Sequence, residues 1–400
     1  MNQHSSWLVE IVFWISSYLI LHPFLIYPYS LVFLDRLRKP KNETHKRTNS
    51  SSSSEQTKKI EGIEPRVALV VSTYNEGKRI EAKLHNVQNL DYPKDRLQVY
   101  LLSDACSDET VNIAERHSNT TLLRSATRKG KSAVLDEFVH RIDADILVFS
   151  DANSLYDTHA IRRLVAPLAD PSVGYVVGRQ KYFEEKHLPA AQAENLYWNR
   201  ESWIKSLESK LGSVVGGDGA IYAIRKSDYV SLQPSDESDF YLPLQLEIKG
   251  LGGVYEPCAT CHENASERFE GQFWRKMRIV NRSLYSTWRS PAALNPCRVG
   301  IFAYLLWSHK VLRWLTPCHL IVAAITLGML CYHENYVYHW IAIPPAMICL
   351  AAFLYLIPGL SRFRLFYLSF YFVIMNLSAL LGLVSFVLGY RVTTWQPDRQ

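Results

Sequence analysis

Between Val67 and Ser150 the chain alternates short apolar runs with polar stretches whose apolar residues recur every three or four positions. Arg66-VALVVSTY reads as a short apolar strand that ends at Asn75-Glu76-Gly77, and Lys78 to Leu90 keeps Ile80, Leu84 and Val87 on one helical face. The same rhythm then predicts a strand from Leu97 to Asp104, a helix from Glu109 to His117 and a strand from Thr120 to Arg124. A helix from Lys131 to Ile142 and a strand from Ile146 to Ser150 complete it. Strands alternating with helices predict an α/β domain built on a mostly parallel sheet with helices on both faces. Past Asn153 the alternation weakens. A long polar-aromatic helix is expected from Ala190 to Leu211, then a glycine-rich loop, Val214-VGGDGAIYAIR, and the segment Ser235-DESDFYLPLQLEIKG. A basic helix, Phe273-WRKMRIVNRSL, follows.

Both ends of the chain carry a different pattern. Trp7 to Leu34 holds a single charge, Glu10, and is long enough to cross a hydrocarbon layer of roughly 30 Å even with Pro23 and Pro28 inside it. It lacks the basic start and small-residue cleavage site of a signal peptide, so it reads as an uncleaved anchor. Its basic flank, Arg36, Arg38, Lys39, Lys41, Lys46 and Arg47, places the following domain in the cytoplasm by the positive-inside rule. Ile301 to Leu315 sets His309, Lys310 and Arg313 against Phe302, Leu305, Leu306 and Leu312, the pattern of an interfacial amphipathic helix. Three spans are expected after it, at Thr316 to Tyr332, Val337 to Leu356 and Leu365 to Tyr390. The expected organisation is an anchor at 1–35, a serine-rich linker at 36–66, an α/β domain at 67–295, an interfacial helix at 296–315, membrane helices at 316–390 and a tail at 391–400.

The net charge of +6 sits beside the apolar segments, which fits attraction to anionic lipid headgroups and no nucleic-acid partner. Seven cysteines are scattered; Cys258 and Cys261 form one C-x-x-C beside His262, but no second pair completes a zinc site, and reduced cytosolic thiols are expected.

Candidate chemistry gathers at the predicted strand ends, where an open α/β sheet presents ligand groups. Thr73, Asn75 and Glu76 follow the first strand, Asp104 the second, and Asp151 and Asn153 the fourth. Asp151 and Asn153 lie two apart and can offer oxygens to one hard cation; the alternative is a helix cap with Ser154 beside it. Gly130-Lys131-Ser132 has only the tail of a P-loop, since Ser125 stands where the first glycine belongs, and Gly217-Asp218-Gly219 lacks the third glycine of a dinucleotide fingerprint. A nucleoside diphosphate site remains. Thr73 and Glu76 would serve base and ribose, Asp104 a pyrimidine edge, and Arg128 and Lys131 the phosphate charge. Arg128 and Lys131 read equally well as solvated helix-terminus charges.

Seven stretches stand in one order: VVSTYNEGKRI, LLSDACSD, RKGKSAVLD, FSDAN, VGGDGAIYAIR, ESDFYLPLQLEIKG and QFWRK. From about Ala68 to Arg278, and on into the terminal helices, the chain resembles the membrane-associated family 2 glycosyltransferases that include cellulose, hyaluronan and poly-N-acetylglucosamine synthases. The resemblance implies a GT-A fold, a Rossmann-like nucleotide-sugar-binding domain with N-terminal and C-terminal transmembrane helices. It also implies a nucleoside-diphosphate sugar donor, with a leaning to UDP, and Mg2+ or Mn2+. By position, Thr73, Asn75, Glu76 and Asp104 hold the nucleotide, Asp151 and Asn153 fill the D-x-D, and Asp239 is the base that accepts the acceptor's proton in an inverting displacement. Gly217, Asp218, Gln272, Arg275 and Arg278 fall near the acceptor and the diphosphate.

Three departures stand out. Asn153 replaces the second carboxylate, so the ion is expected only together with the diphosphate. Lys276 replaces the tryptophan of Q-x-x-R-W, which weakens processive polymerisation. Trp395-Gln396-Pro397-Asp398-Arg399 resembles a W-x-x-x-R gating segment, yet a final span starting from Arg362 and Arg364 inside puts this tail outside unless the last segment is re-entrant. The expected activity is sugar transfer to a glycan acceptor at the cytoplasmic membrane face in exopolysaccharide or cell-surface glycan synthesis, with export or regulatory subunits left undefined. Two alternatives stand beside it: addition of one sugar to a lipid-linked acceptor, and a catalytically inactive transporter or scaffold.

Overall fold

The computed structural model describes residues 3–37, 64–183, 189–264, 269–332 and 336–394. The serine-rich stretch and the Trp395 to Arg399 segment lie outside the described residues. Among the described residues eight strands form one sheet: β1 (Val67–Thr73), β2 (Leu97–Asp104), β3 (Thr120–Ser125), β4 (Ile146–Ser150), β5 (Leu155–Tyr156), β6 (Val173–Phe183), β7 (Tyr222–Arg225) and β8 (Gly252–Asn264). Their order across the sheet is β3-β2-β1-β4-β7-β6-β8-β5. The four strands β3, β2, β1 and β4 are parallel, and the inner three, β2, β1 and β4, are near-continuous apolar runs because helices cover both faces. Beyond β4 the sheet is mixed: β7 runs antiparallel to β4 and β6, and β5 antiparallel to β8, while β6 and β8 are parallel.

The register sets the carboxyl ends side by side. Thr73 pairs with Ser103, and Val71 with Ser150, so the turns after β1, β2 and β4 open at one edge. One face of the sheet buries Leu69, Val99 and Leu101 with Ile80 and Leu84 of the helix Gly77–Gln88. The other buries Val70, Leu102 and Phe149 with Leu135 and Phe138 of the helix Lys131–Phe138. Leu101 has no exposed surface, and truncation to alanine there would cost about 2–5 kcal/mol.

A third apolar cluster joins this domain to the terminal helices. It brings Tyr27 and Leu31 against Ile204 and Leu207 of the helix Pro189–Leu211, and against Leu305 and Leu306. The segment Ile301–Leu315, expected as an interfacial helix, turns its polar stripe into the fold. A single helical path runs from Ile301 to Tyr332 through a π turn at Trp307–Val311, and His309 is fully buried between Glu201 and Glu208. Lys310 and Arg313 both pair with Glu201, at 2.8 and 3.0 Å. The polar stripe is thus neutralised by acids of another helix, a tertiary pairing that amphipathic spacing cannot disclose. Among the described residues four helices are long and apolar enough to cross a membrane: Trp7–Leu37, Ile301–Tyr332, Tyr336–Leu354 and Arg364–Val387.

Candidate active site

The turns after β1 and β2 are stitched into one lip. Asn75 and Ala105 sit at positive φ, 54° and 56°, which reverses the chain directly after each strand. Asn75 Oδ1 accepts the Ser107 N–H at 2.9 Å, Asp108 Oδ2 the Gly77 N–H at 2.9 Å, and Thr110 Oγ1 the Glu76 N–H at 2.8 Å. The Glu76 carboxylate faces inward and pairs with Arg79 at 3.2 Å; burial raises its pKa against the pull of that arginine. Thr73 is buried beneath the lip and donates to Leu102 O at 3.4 Å.

Asp104 is buried at the end of β2, where its two oxygens accept the Lys129 and Gly130 N–H groups at 2.6 and 2.8 Å. That closes a turn in which Gly130 takes φ 92°, and it delivers Lys131 into the adjoining cleft. Arg128 lies 3.7 Å over the Tyr74 ring. Thr73, Asn75, Asp104 and Arg128 therefore form the lip and shelf, whereas Glu76, Lys131, Asp151, Asn153, Asp218 and Asp239 line the cleft itself.

The turn after β4 is held from beneath by a buried lysine. Lys83 has no exposed surface; its ammonium donates to Ser150 Oγ at 2.7 Å and Ser154 O at 2.5 Å and lies 4.0 Å from the centre of the Tyr156 ring. Burial pushes its pKa down to about 8. These bonds bracket Asp151 and Asn153 and fix both side chains toward the cleft. Asp151 Oδ1 accepts from Lys131 Nζ at 2.5 Å. The Asn153 amide nitrogen donates to Glu263 Oε2 at 3.2 Å, a bond that does not use its carbonyl oxygen. Glu263 also accepts the Ser154 hydroxyl, and burial beside Asp151 pushes its pKa up to about 7.

Asp239 stands in the first turn of the helix Ser238–Ile248, with the glycine loop against it. The Gly217 N–H donates to Asp239 O at 2.5 Å, and a Cβ at 217 would meet that oxygen at 2.7 Å, so only glycine permits the approach. A Cβ at Gly219 would lie 3.2 Å from Lys131 Nζ and 3.3 Å from Asp239 Oδ2, which measures how closely the lysine and the carboxylate converge. Asp239 Oδ1 has no hydrogen-bond partner, and burial and Glu237 push the carboxyl up to about 7 while Lys131 pulls it down. Burial works to lower the Lys131 pKa, but Asp151 and Asp239 outweigh it and the ammonium stays charged. Asp218 is buried and pairs with Lys205 at 3.5 Å.

The helix Phe269–Arg289 closes the far side. Gln272 donates to Ala190 O and Glu194 Oε2, both at 3.3 Å, and Arg275 reaches the Tyr182 hydroxyl at 3.3 Å and Glu194 at 3.5 Å. With Arg278 they bound a cleft of 1410 Å³ in which basic side chains outnumber acidic ones, a setting for a ligand with two phosphates.

Among the described residues no group of three His, Cys, Asp or Glu side chains converges on a metal position. Asp151 has one oxygen outside the Lys131 bond, and the Asn153 carbonyl oxygen is not used in the bond to Glu263. Two hard oxygen ligands suit Mg2+ or Mn2+ whose remaining positions are filled by a diphosphate and water. The donor set fits such an ion on that condition.

Lys83 and Glu263 were missed by sequence reasoning. Lys83 shares the helical face of Ile80 and Val87, a charge in a core stripe that could have marked it. Glu263 carries no such signal, since its strand segment, Cys-Ala-Thr-Cys-His-Glu-Asn, has no clear alternation.

A parallel half sheet with polar side chains at its carboxyl edge and a glycine loop leading to a helix-borne carboxylate is the arrangement of the GT-A class of domains. Residues 68–230 match the model of glycosyl transferase family 2, and the chain carries a domain of that family. The probable glycosyltransferase YdaM of Bacillus subtilis is 31% identical over 225 residues, 53% of each chain. The beta-monoglucosyldiacylglycerol synthase of Trichormus variabilis is 23% identical over 163 residues, 39% of this chain and 35% of that one. The matches thus span about half or less of the length of these relatives. The mannosyltransferase PcManGT from Pyrobaculum calidifontis, solved in complex with GDP-Man and Mn2+, shares the fold with a TM-score of 0.69 and 19% identity over 95% of this chain and 99% of that one.

Proposed function

We propose that the protein is a metal-dependent, inverting glycosyltransferase that moves a sugar from a nucleoside-diphosphate donor to a glycan acceptor at the cytoplasmic membrane face. The convergence of Asp151, Lys131 and Asp239 on one basic cleft carries this reading. Glu76 at the lip and the Asp104 turn would frame base and ribose. Lys131, Arg275 and Arg278 would offset diphosphate charge. Asp151 and Asn153 would hold Mg2+ or Mn2+, which supplies charge stabilisation to the departing diphosphate. Asp239 would accept the proton of the acceptor hydroxyl as that oxygen bonds to the anomeric carbon and the bond to the diphosphate breaks, inverting the centre. Its unpartnered Oδ1 is suited to that proton.

A second reading, transfer of one sugar to a lipid-linked acceptor, is favoured by the shape of the cleft. From Asp239 it continues past Trp274 to Phe24, Leu368, Phe372 and Met375 on helices of membrane-spanning length. The similarity to a lipid glucosyltransferase points the same way. Incubating membranes containing the full chain with radiolabelled UDP- and GDP-sugars, with and without Mn2+, and sizing the product separates the two. Long glycans support the first reading, one added sugar on a lipid supports the second, and no transfer from any donor overturns both.

A further inference from the structure

Length and hydropathy class Arg364–Val387 with the helices able to cross a bilayer, but the element it follows along most of its length is the helix Phe269–Arg289. Phe13, Leu330 and Tyr338 form an apolar cluster made only of the helices Trp7–Leu37, Ile301–Tyr332 and Tyr336–Leu354, away from the α/β domain. Arg364–Val387 also packs on Ile301–Tyr332 and Tyr336–Leu354, and its Phe372 ring lies 6.5 Å from that of Phe24, but it runs along Phe269–Arg289. Near its start, Phe370 and Tyr371 pack on the Phe269 ring at 5.3 and 6.0 Å between centroids. Near its end, Asn281 donates to Ser385 Oγ at 3.0 Å and to Tyr390 O at 3.1 Å. Between them Gly382 sits so close that a Cβ would meet Met277 O at 2.7 Å.

The helix Phe269–Arg289 is itself tied to the α/β domain. Arg275 pairs with Glu194, Arg282 with Glu237 at 3.1 Å, and Arg289 with Asp236. The stretch from Phe370 to Ser385 spans about 22 Å at 1.5 Å per residue. If it crossed the bilayer, these arginines and their carboxylates would have to enter hydrocarbon, at several kcal/mol each. Beyond the helix, Val392 N–H donates to Asn281 Oδ1 at 3.4 Å, and the Thr393 carbonyl lies against Gly130.

We infer that Arg364–Val387 does not cross the membrane: it lies at the bilayer surface along the catalytic domain, so the described chain crosses three times. Arg362 and Arg364 then sit on the same side as the α/β domain, and so do residues 391–394. The helix leaves Leu377, Leu381, Val384 and Val387 exposed, with Leu388 just past its end, an apolar surface that would rest in the headgroup and acyl boundary. This placement is independent of the reading of activity.

Short epitope tags inserted in the full-length chain at Gly359, after Gln400, and between the helices Ile301–Tyr332 and Tyr336–Leu354 test it. Protease is added to sealed vesicles, and each tag is scored against digestion of the α/β domain itself. Cleavage of the Gly359 and C-terminal tags together with that domain, with the third tag protected, is the expected result. Protection of the C-terminal tag in vesicles whose α/β domain and Gly359 tag are digested means that the helix crosses, and overturns the inference. Protection of the Gly359 tag there overturns it as well.

Discussion

Lys131 Nζ lies 2.5 Å from Asp151 Oδ1, and the same ammonium approaches Asp239 across Gly219. One cation thus stands between the carboxylate proposed for the metal and the carboxylate proposed as base, though Asp151 lies inside the matched family region and Asp239 beyond it.

That link sets a pH dependence. Asp239 acts only when ionised, and its pKa is pushed up to about 7, so kcat/KM should rise with pH and level off above that value. Lys131 favours the ionised form; Lys131→Met should move the acid limb upward by about one pH unit, an opposite charge being worth that much. A pH profile of both proteins checks this, and an unmoved limb would separate Lys131 from the base.

Metal binding should depend on the donor. With one carboxylate and one amide carbonyl as protein ligands, free Mn2+ should bind weakly, and a nucleoside diphosphate should tighten it at least tenfold, about 1.4 kcal/mol. Electron paramagnetic titration of Mn2+ with and without the nucleotide measures the difference. Equal affinity in both titrations would mean that other ligands complete the site.

Lys83 positions the Asp151 turn without touching substrate. Lys83→Met keeps the stem and removes the bonds to Ser150 and Ser154, leaving two buried acceptors at a cost of about 1–3 kcal/mol each. Activity should fall at least tenfold and Mn2+-nucleotide affinity with it, while Lys83→Arg restores part of both. A drop in thermal stability with unchanged metal affinity would make the residue merely structural.

Glu247 offers a stability test away from the cleft. Burial pushes its pKa up to about 7, although bonds from Ser213 and Tyr175 oppose the shift. The folded chain therefore holds a proton that the unfolded chain releases near 4.5, so stability falls as pH rises from about 4.5 to 7. Glu247→Gln should stabilise the protein by ~1–3 kcal/mol at pH 8 and by nothing near pH 4. Thermal denaturation in detergent at both values checks it.

The parallel half of the sheet was legible because its strands are buried on both faces and its helices keep strict spacing; the predicted limits of β1, β2 and β4 match to within a residue or two. Asp151, Lys131 and Asp239 were legible as strand-end or motif positions, and the structure brings them to one cleft. Less legible were features made by contacts distant in sequence. The antiparallel β7, the burial of His309 by Glu201 and Glu208, and the packing of Gly382 on Met277 all depend on partners that no local pattern names. Asp104 shows a subtler limit: its strand-end position was readable, but not that both its oxygens hold the turn leading to Lys131.

The most direct test of the proposed chemistry compares the wild-type chain with Asp239→Asn, using a donor shown to be turned over. Transfer should fall by about a thousandfold, as expected for loss of a general base, while the donor dissociation constant changes less than threefold. Transfer within tenfold of wild type, with donor binding intact, would contradict the assignment of Asp239 as the base.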